Sequence, residues 1–167
     1  MLLLAACGGS DDDVSPTTQP SGTPPADADA IRDVDMTQQK DVAAAITRIG
    51  GGSVAKNEIV YADLTGDQRE EAVVPITSGG TMGNLSYLIF TPSAGGATLL
   101  LTRNLDPSSP SGITMAVENG ILVEYIGEYG PEDPMCCPSV LRRTTFKWDG
   151  SKLQVAGEER QQRPQKQ

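Results

Sequence analysis

The residues best placed to do chemistry are two adjacent cysteines, in Pro134-Met135-Cys136-Cys137-Pro138. Outside the cytoplasm such thiols are expected to oxidise. Three states are open to them: a vicinal disulfide between Cys136 and Cys137, two free thiols, or a bridge to another molecule. Neighbouring Cα atoms lie about 3.8 Å apart across a trans peptide, below the roughly 4.4–6.8 Å usual for disulfides. A vicinal bond is therefore strained and more reducible than an ordinary structural one. It would act as a clip on a turn already restrained by two prolines, or as a redox-sensitive, ligand-presenting turn. In the second case Tyr125, Glu128, Tyr129, Glu132 and Asp133 are the side chains nearest in sequence to face a ligand. The spacing is not the Cys-x-x-Cys of redox enzymes, and no helix start precedes it to lower a thiol pKa.

A second candidate is the acidic run Asp63-Leu64-Thr65-Gly66-Asp67-Gln68-Arg69-Glu70-Glu71. Oxygen-bearing side chains recur at Asp63, Thr65, Asp67 and Glu71, the spacing with which short loops wrap calcium. Gln68 stands where such loops usually turn on glycine, and Thr65 is a weaker ligand than a carboxylate. The same residues suit a hairpin loop in which Asp63 and Asp67 accept backbone N–H bonds. A third candidate is a carboxylate pair such as Glu128 and Asp133, the arrangement glycosidic hydrolysis requires. Histidine is absent from the chain. That removes Ser-His-Asp triads, Cys-His dyads and imidazole-ligated zinc from consideration.

The third cysteine, Cys7, closes the apolar run Leu4-Ala5-Ala6-Cys7. That tetrapeptide resembles the bacterial lipobox, and the resemblance implies lipid attachment to the Cys7 thiol and cleavage just before it, which Ala5 and Ala6 are small enough to allow. Only six residues precede Cys7 and none is charged, so residues 1–6 read as a truncated signal whose basic start lies upstream. Residues 7–33 are rich in Gly, Ser, Thr, Pro and Asp and poor in large apolar residues, the composition of a disordered linker. Acylation of Cys7 would leave no third thiol to pair with Cys136 or Cys137. No apolar stretch approaches the length of a transmembrane helix, so lipid would be the membrane anchor. The formal net charge of −9 argues against a nucleic-acid partner, because phosphate binding needs clustered cations.

These candidates need elements to hold them. Val42, Ala45, Ile46 and Ile49 share one face of a helix predicted over Asp35 to Ile49, with Asp35 and Gln38 as a capping box and Gly50-Gly51-Gly52 as its stop. Beyond it, β-branched and aromatic runs alternate with turn residues. They predict strands at Glu58–Ala62, Glu71–Thr77, Leu85–Thr91, Thr98–Arg103, Gly112–Glu118, Ile121–Tyr125, Val140–Trp148 and Leu153–Glu158. Asn119-Gly120 and Asp149-Gly150 mark tight hairpins, since both pairs tolerate positive φ. The expected fold is α+β: an antiparallel meander of about seven to eight strands with one N-terminal helix packed on it. The domain is expected over 34–158, with 159–167 a disordered tail because Glu158 to Gln167 has no apolar residue.

The chain resembles the LppP/LprE family of bacterial envelope lipoproteins. The likeness rests on Leu4-Ala5-Ala6-Cys7, on Tyr61-Ala62-Asp63-Leu64-Thr65-Gly66-Asp67 running into Glu70-Glu71-Ala72-Val73-Val74, on Cys136-Cys137-Pro138-Ser139, and on Phe146-Lys147-Trp148-Asp149-Gly150. It spans residues 31 to 158. The acidic loop also resembles repeats of calcium-binding propellers. The family resemblance implies an extracytoplasmic, lipid-anchored, β-rich domain and supplies no catalytic residue. The expected function is a non-enzymatic envelope lipoprotein that binds a small ligand or an envelope protein. A calcium-stabilised module and a carboxylate-dependent hydrolase are the alternatives.

Overall fold

The computed structural model describes residues 30–134 and 136–163. The expected signal, the lipid site at Cys7 and most of the linker lie outside the described residues. The one α-helix among them, α1, spans Lys40–Arg48. The strands are β1 (Ser53–Val54), β2 (Val60–Ala62), β3 (Glu71–Thr77), β4 (Asn84–Ser93), β5 (Gly96–Asn104), β6 (Ile113–Glu118), β7 (Ile121–Glu128), β8 (Val140–Trp148) and β9 (Leu153–Gln162). All pair antiparallel, as the short turns between them require.

Helix α1 is shorter than its periodicity predicts. Asp35 accepts a hydrogen bond from Thr37 N at 2.9 Å and so closes a single 3₁₀ turn, Met36–Gln38. The chain re-extends at Gln39, which lets Met36 and Val42 both turn inward. At the other end Gly51 N reaches Ile46 O and Gly50 N reaches Thr47 O, with Gly50 at φ 81°, a Schellman stop that the three glycines foretold.

Strands β3 and β4 are buried on both faces. Ala72, Val74 and Ile76 of β3, with Leu88 and Phe90 of β4, pack against Ile31, Met36, Val42 and Ala45 of the helical segment. Val73 of β3, with Tyr87 and Ile89 of β4, joins Ile113, Leu122, Ile126, Phe146 and Leu153. The β6–β9 meander therefore folds back over the face the helix leaves open. It meets the first half-sheet edge to edge at one pair, Asn84 with Ile113.

Pro75 sits in the middle of β3, where a missing N–H should break a ladder. Its carbonyl accepts from Ala55 N at 3.0 Å, and in a strand a residue's N and O point to the same side. That side is the gap between β1 and β2, so no ladder bond is lost.

Most strand bounds shift by one to three residues from the sequence pattern, and three differences extend the domain. Residues Ala30–Asp33 form a 3₁₀ turn with Ile31 fully buried, so the domain reaches back into the expected linker. The short β1 went unpredicted because two residues carry no periodicity. Strand β9 continues past Glu158 to Gln162, where a tail was expected. Its backbone pairs with β8 through Gln162 opposite Val140, and Glu159 and Arg160 pair with Arg143 and Glu128 at 3.1 and 2.8 Å. Hydrophobic patterning cannot register a strand held by backbone and charge alone. Of the two hairpins, Asn119 and Gly120 adopt φ 52° and 75°, as a two-residue turn requires. Asp149-Gly150 opens a four-residue turn instead, in which the Asp149 carboxylate accepts from Ser151 N and Lys152 N.

Candidate functional site

The acidic loop is closed by its own backbone. Asp63 accepts from Gly66 N and Gln68 N at 2.6 and 3.0 Å. Asp67 accepts from Arg69 N at 2.9 Å and from its guanidinium at 2.9 and 2.8 Å. Glu71 is fully buried and accepts from Leu64 N at 2.8 Å, Thr65 N at 3.2 Å and the Thr91 hydroxyl at 2.9 Å. The carboxylate oxygens are thus spent on N–H and O–H donors. Among the described residues no group of three or more His, Cys, Asp or Glu is disposed to hold a metal ion. Adding calcium, or a chelator, is expected to leave the melting temperature unchanged; a rise with calcium would show that the loop can reorganise around it.

Gln68 takes φ 68°, the left-handed conformation for which calcium loops use glycine. Gln68→Gly is expected to stabilise the domain by about 0.5–1 kcal/mol in urea unfolding, the left-handed cost less glycine's extra chain entropy.

Burial pushes the Glu71 carboxyl above its ordinary range, outweighing the hydrogen bonds from Leu64 and Thr91 that favour its charged form, while Asp67 and Asp63 add to the upward shift. A carboxyl raised on folding contributes stability below its unfolded pKa and loses it as pH rises through the folded one. Glu71→Gln mimics the neutral form throughout. The variant is therefore expected to gain stability relative to the parent as pH climbs through the carboxylate range, and a constant difference from acid to neutral pH would contradict this.

A concave site lies elsewhere, where the two half-sheets meet. A groove of about 600 Å³ is walled by Met82, Asn84 and Glu58 on one side and by Ser111–Thr114, Tyr125, Gly127, Tyr129, Cys136, Pro138 and Arg163 on the other. That volume is within the range of small-molecule sites. Two close approaches set its shape. At Gly112 an added Cβ would lie 2.0 Å from Met82 O, and at Gly127 one would lie 2.6 Å from Pro138 Cγ and 2.9 Å from Ser111 Oγ. The Ser111 hydroxyl accepts from Gly127 N at 2.9 Å and donates to Gly127 O at 3.1 Å, pinning the β6 approach to β7.

Asp133 builds the rim. Its Oδ2 accepts from Gly130 N and Ser139 N, both at 2.7 Å, and these bonds hold its carboxyl below the ordinary range. Cys137 N closes a turn onto Pro134 O at 2.9 Å, and Arg163 N bonds to Ser139 O at 2.8 Å. The loop therefore brings Cys136 to the groove wall that Arg163 also lines. Both thiols are exposed and unbonded in the structure. Contact with Cys136, more than loss of solvation, pushes the Cys137 thiol up; Arg163 acts in the opposite sense.

Of the side chains expected to face a ligand, Tyr125 and Tyr129 do line the groove and Glu128 and Asp133 do not. The Tyr125 hydroxyl is turned to Glu118 Oε1 at 2.5 Å, with Arg143 Nε donating to it at 3.3 Å. Glu128, at the end of β7, pairs with Arg160 of β9 at 2.8 Å across β8. Glu128 and Asp133 are each committed to other partners, Arg160 and the Gly130 and Ser139 N–H groups. Sequence reading missed Glu58, Met82, Ser111 and Arg163, which reach the groove from four distant segments. It missed Glu124 as well, a carboxylate only 1% exposed inside the β7 core face, bonded to the Tyr87 hydroxyl and to Arg103.

No protein-family model, no curated protein and no solved structure matches this chain. Its function is therefore argued from its own geometry.

Proposed function

We propose that the chain is a bacterial envelope lipoprotein of the LppP/LprE type, anchored through Cys7, whose domain binds a small ligand without catalysis. The observation that carries the binding half of this reading is the groove between the half-sheets, walled by Tyr125, Tyr129 and Arg163. Aromatic faces and one cation are recognition chemistry. The lack of histidine and the engagement of Glu128 and Asp133 elsewhere leave the groove without an acid–base pair drawn from these residues. The anchoring half is supported by the Leu4-Ala5-Ala6-Cys7 pattern. No helix among the described residues is long and apolar enough to cross a membrane.

Intact-mass measurement of membrane-extracted protein tests the anchor. The expected mass begins at Cys7 and carries acyl chains, and Cys7→Ser is expected to move the protein to the soluble fraction; membrane-bound protein with an unmodified Cys7 would overturn it. The groove is tested by NMR titration with small aromatic carboxylates. Shifts are expected to collect at Tyr125, Tyr129 and Arg163, and shifts scattered over the surface would refute the site.

A further inference from the structure

We propose that Cys136 is an exchange site for a small anionic disulfide seated in the groove, with Cys137 as the resolving thiol. The inference rests on the groove being the binding surface and is independent of the lipid anchor. Three observations converge on it. Cys136 is a free, exposed thiol that forms part of the groove wall. Cys137 is its covalent neighbour, so a second thiol is always within reach. Arg163 lines the same groove and offers a cation to an anionic substituent.

The order of attack follows from the same geometry. Cys136 forms part of the groove wall and Cys137 does not, so a disulfide seated there meets Cys136 first. The Cys136 thiolate attacks one sulfur of the small disulfide, whose S–S bond breaks; one thiolate leaves and takes up a proton. Cys137 then gives up its proton and attacks Cys136 Sγ, breaking the mixed disulfide and releasing the second small thiol. The protein dithiol is oxidised to a disulfide and the small disulfide is reduced to two thiols, so electrons balance. A disulfide between neighbours is strained, which keeps the reverse exchange with excess thiol accessible. Forming it draws the groove wall at Cys136 toward Cys137 and so couples redox state to the shape of the site.

The test uses the full-length chain, reduced, with oxidised glutathione as probe and intact mass with peptide mapping as readout. The wild type is expected to lose two hydrogens within the peptide holding both cysteines. Cys137→Ser is expected to accumulate a glutathione adduct on Cys136, and Cys136→Ser to react several-fold more slowly at Cys137. Arg163→Ala is expected to slow reaction with oxidised glutathione about tenfold and to speed reaction with the cationic disulfide cystamine, the opposite signs that local charge focusing predicts. A wild-type chain that stays reduced, or adducts that form equally on either cysteine, would overturn the proposal. Equal effects of Arg163→Ala on both disulfides would overturn the role given to the groove. Shifts caused by carboxylates that carry no sulfur report on the groove separately, so an inert dithiol and an empty groove give different results.

Discussion

Gly112→Ala is expected to destabilise the domain by about 3 kcal/mol, at the upper end for overpacking. The new Cβ would lie 2.0 Å from Met82 O and 3.0 Å from Asn84 N and O, all backbone atoms that no side-chain rotation can move aside. This is where the two half-sheets touch edge to edge, so relieving the clash means parting Asn84 from Ile113. The midpoint of urea unfolding should fall, and the groove should lose affinity for its NMR probes in parallel because Gly112 and Asn84 are part of its wall. Gly80→Ala is the control: nothing but the Ser78 hydroxyl, at 3.8 Å, meets its Cβ, and its stability should change by under about 0.5 kcal/mol. Equal midpoints for the two variants would mean the half-sheets do not approach at Gly112.

Glu124→Ala is expected to cost about 3 kcal/mol, the low end for removing one partner of a buried charge pair. The Glu124 side chain is 1% exposed and that of Arg103 is 35% exposed, so solvent compensates part of the stranded guanidinium. Three bonds are lost: from the Tyr87 hydroxyl at 3.0 Å, and from Arg103 Nε and Nη2 at 3.2 and 2.9 Å. Burial and the Glu124 charge keep the Tyr87 phenol protonated far above any working pH. Arg103 also lies over the Phe146 ring, 5.3 Å from its centroid, so the network ties β4 and β5 to β7 and β8. Replacing all three groups together, as Tyr87→Phe, Arg103→Met and Glu124→Met, should recover most of the loss, since no polar atom is then left unpaired. A triple variant as unstable as Glu124→Ala alone would show that packing, not charge, sets the cost.

These two sites were the least visible in the sequence. Glu124 stands between Leu122 and Ile126 on the inward face of β7, where alternation places it, but nothing local shows the partners that allow a carboxylate to be buried there. Its partners Tyr87 and Arg103 come from two earlier strands, brought close by the fold-back of β6–β9. The groove was hidden for the same reason: Glu58, Met82, Ser111 and Arg163 have no common spacing. What could be read was local. β3 and β8 fall on their predicted bounds because runs of β-branched and aromatic residues end in turn chemistry on both sides. The expected calcium ligands are local too. Asp63, Thr65, Asp67 and Glu71 do form one compact loop, but their spacing could not say whether a cation or backbone N–H groups would fill it.

The adjacent thiols show the same division. From the sequence alone came their adjacency, the prolines on either side, the absence of histidine and the chemistry these leave possible, because covalent order and residue type are complete in one dimension. The place of Cys136, and not Cys137, in a groove wall and the cation at Arg163 beside it were decided by tertiary structure. That is so because β9 pairs with β8 beyond the last apolar residue and carries Arg163 back beside Ser139, a contact made by backbone hydrogen bonds that leave no mark on hydrophobic patterning.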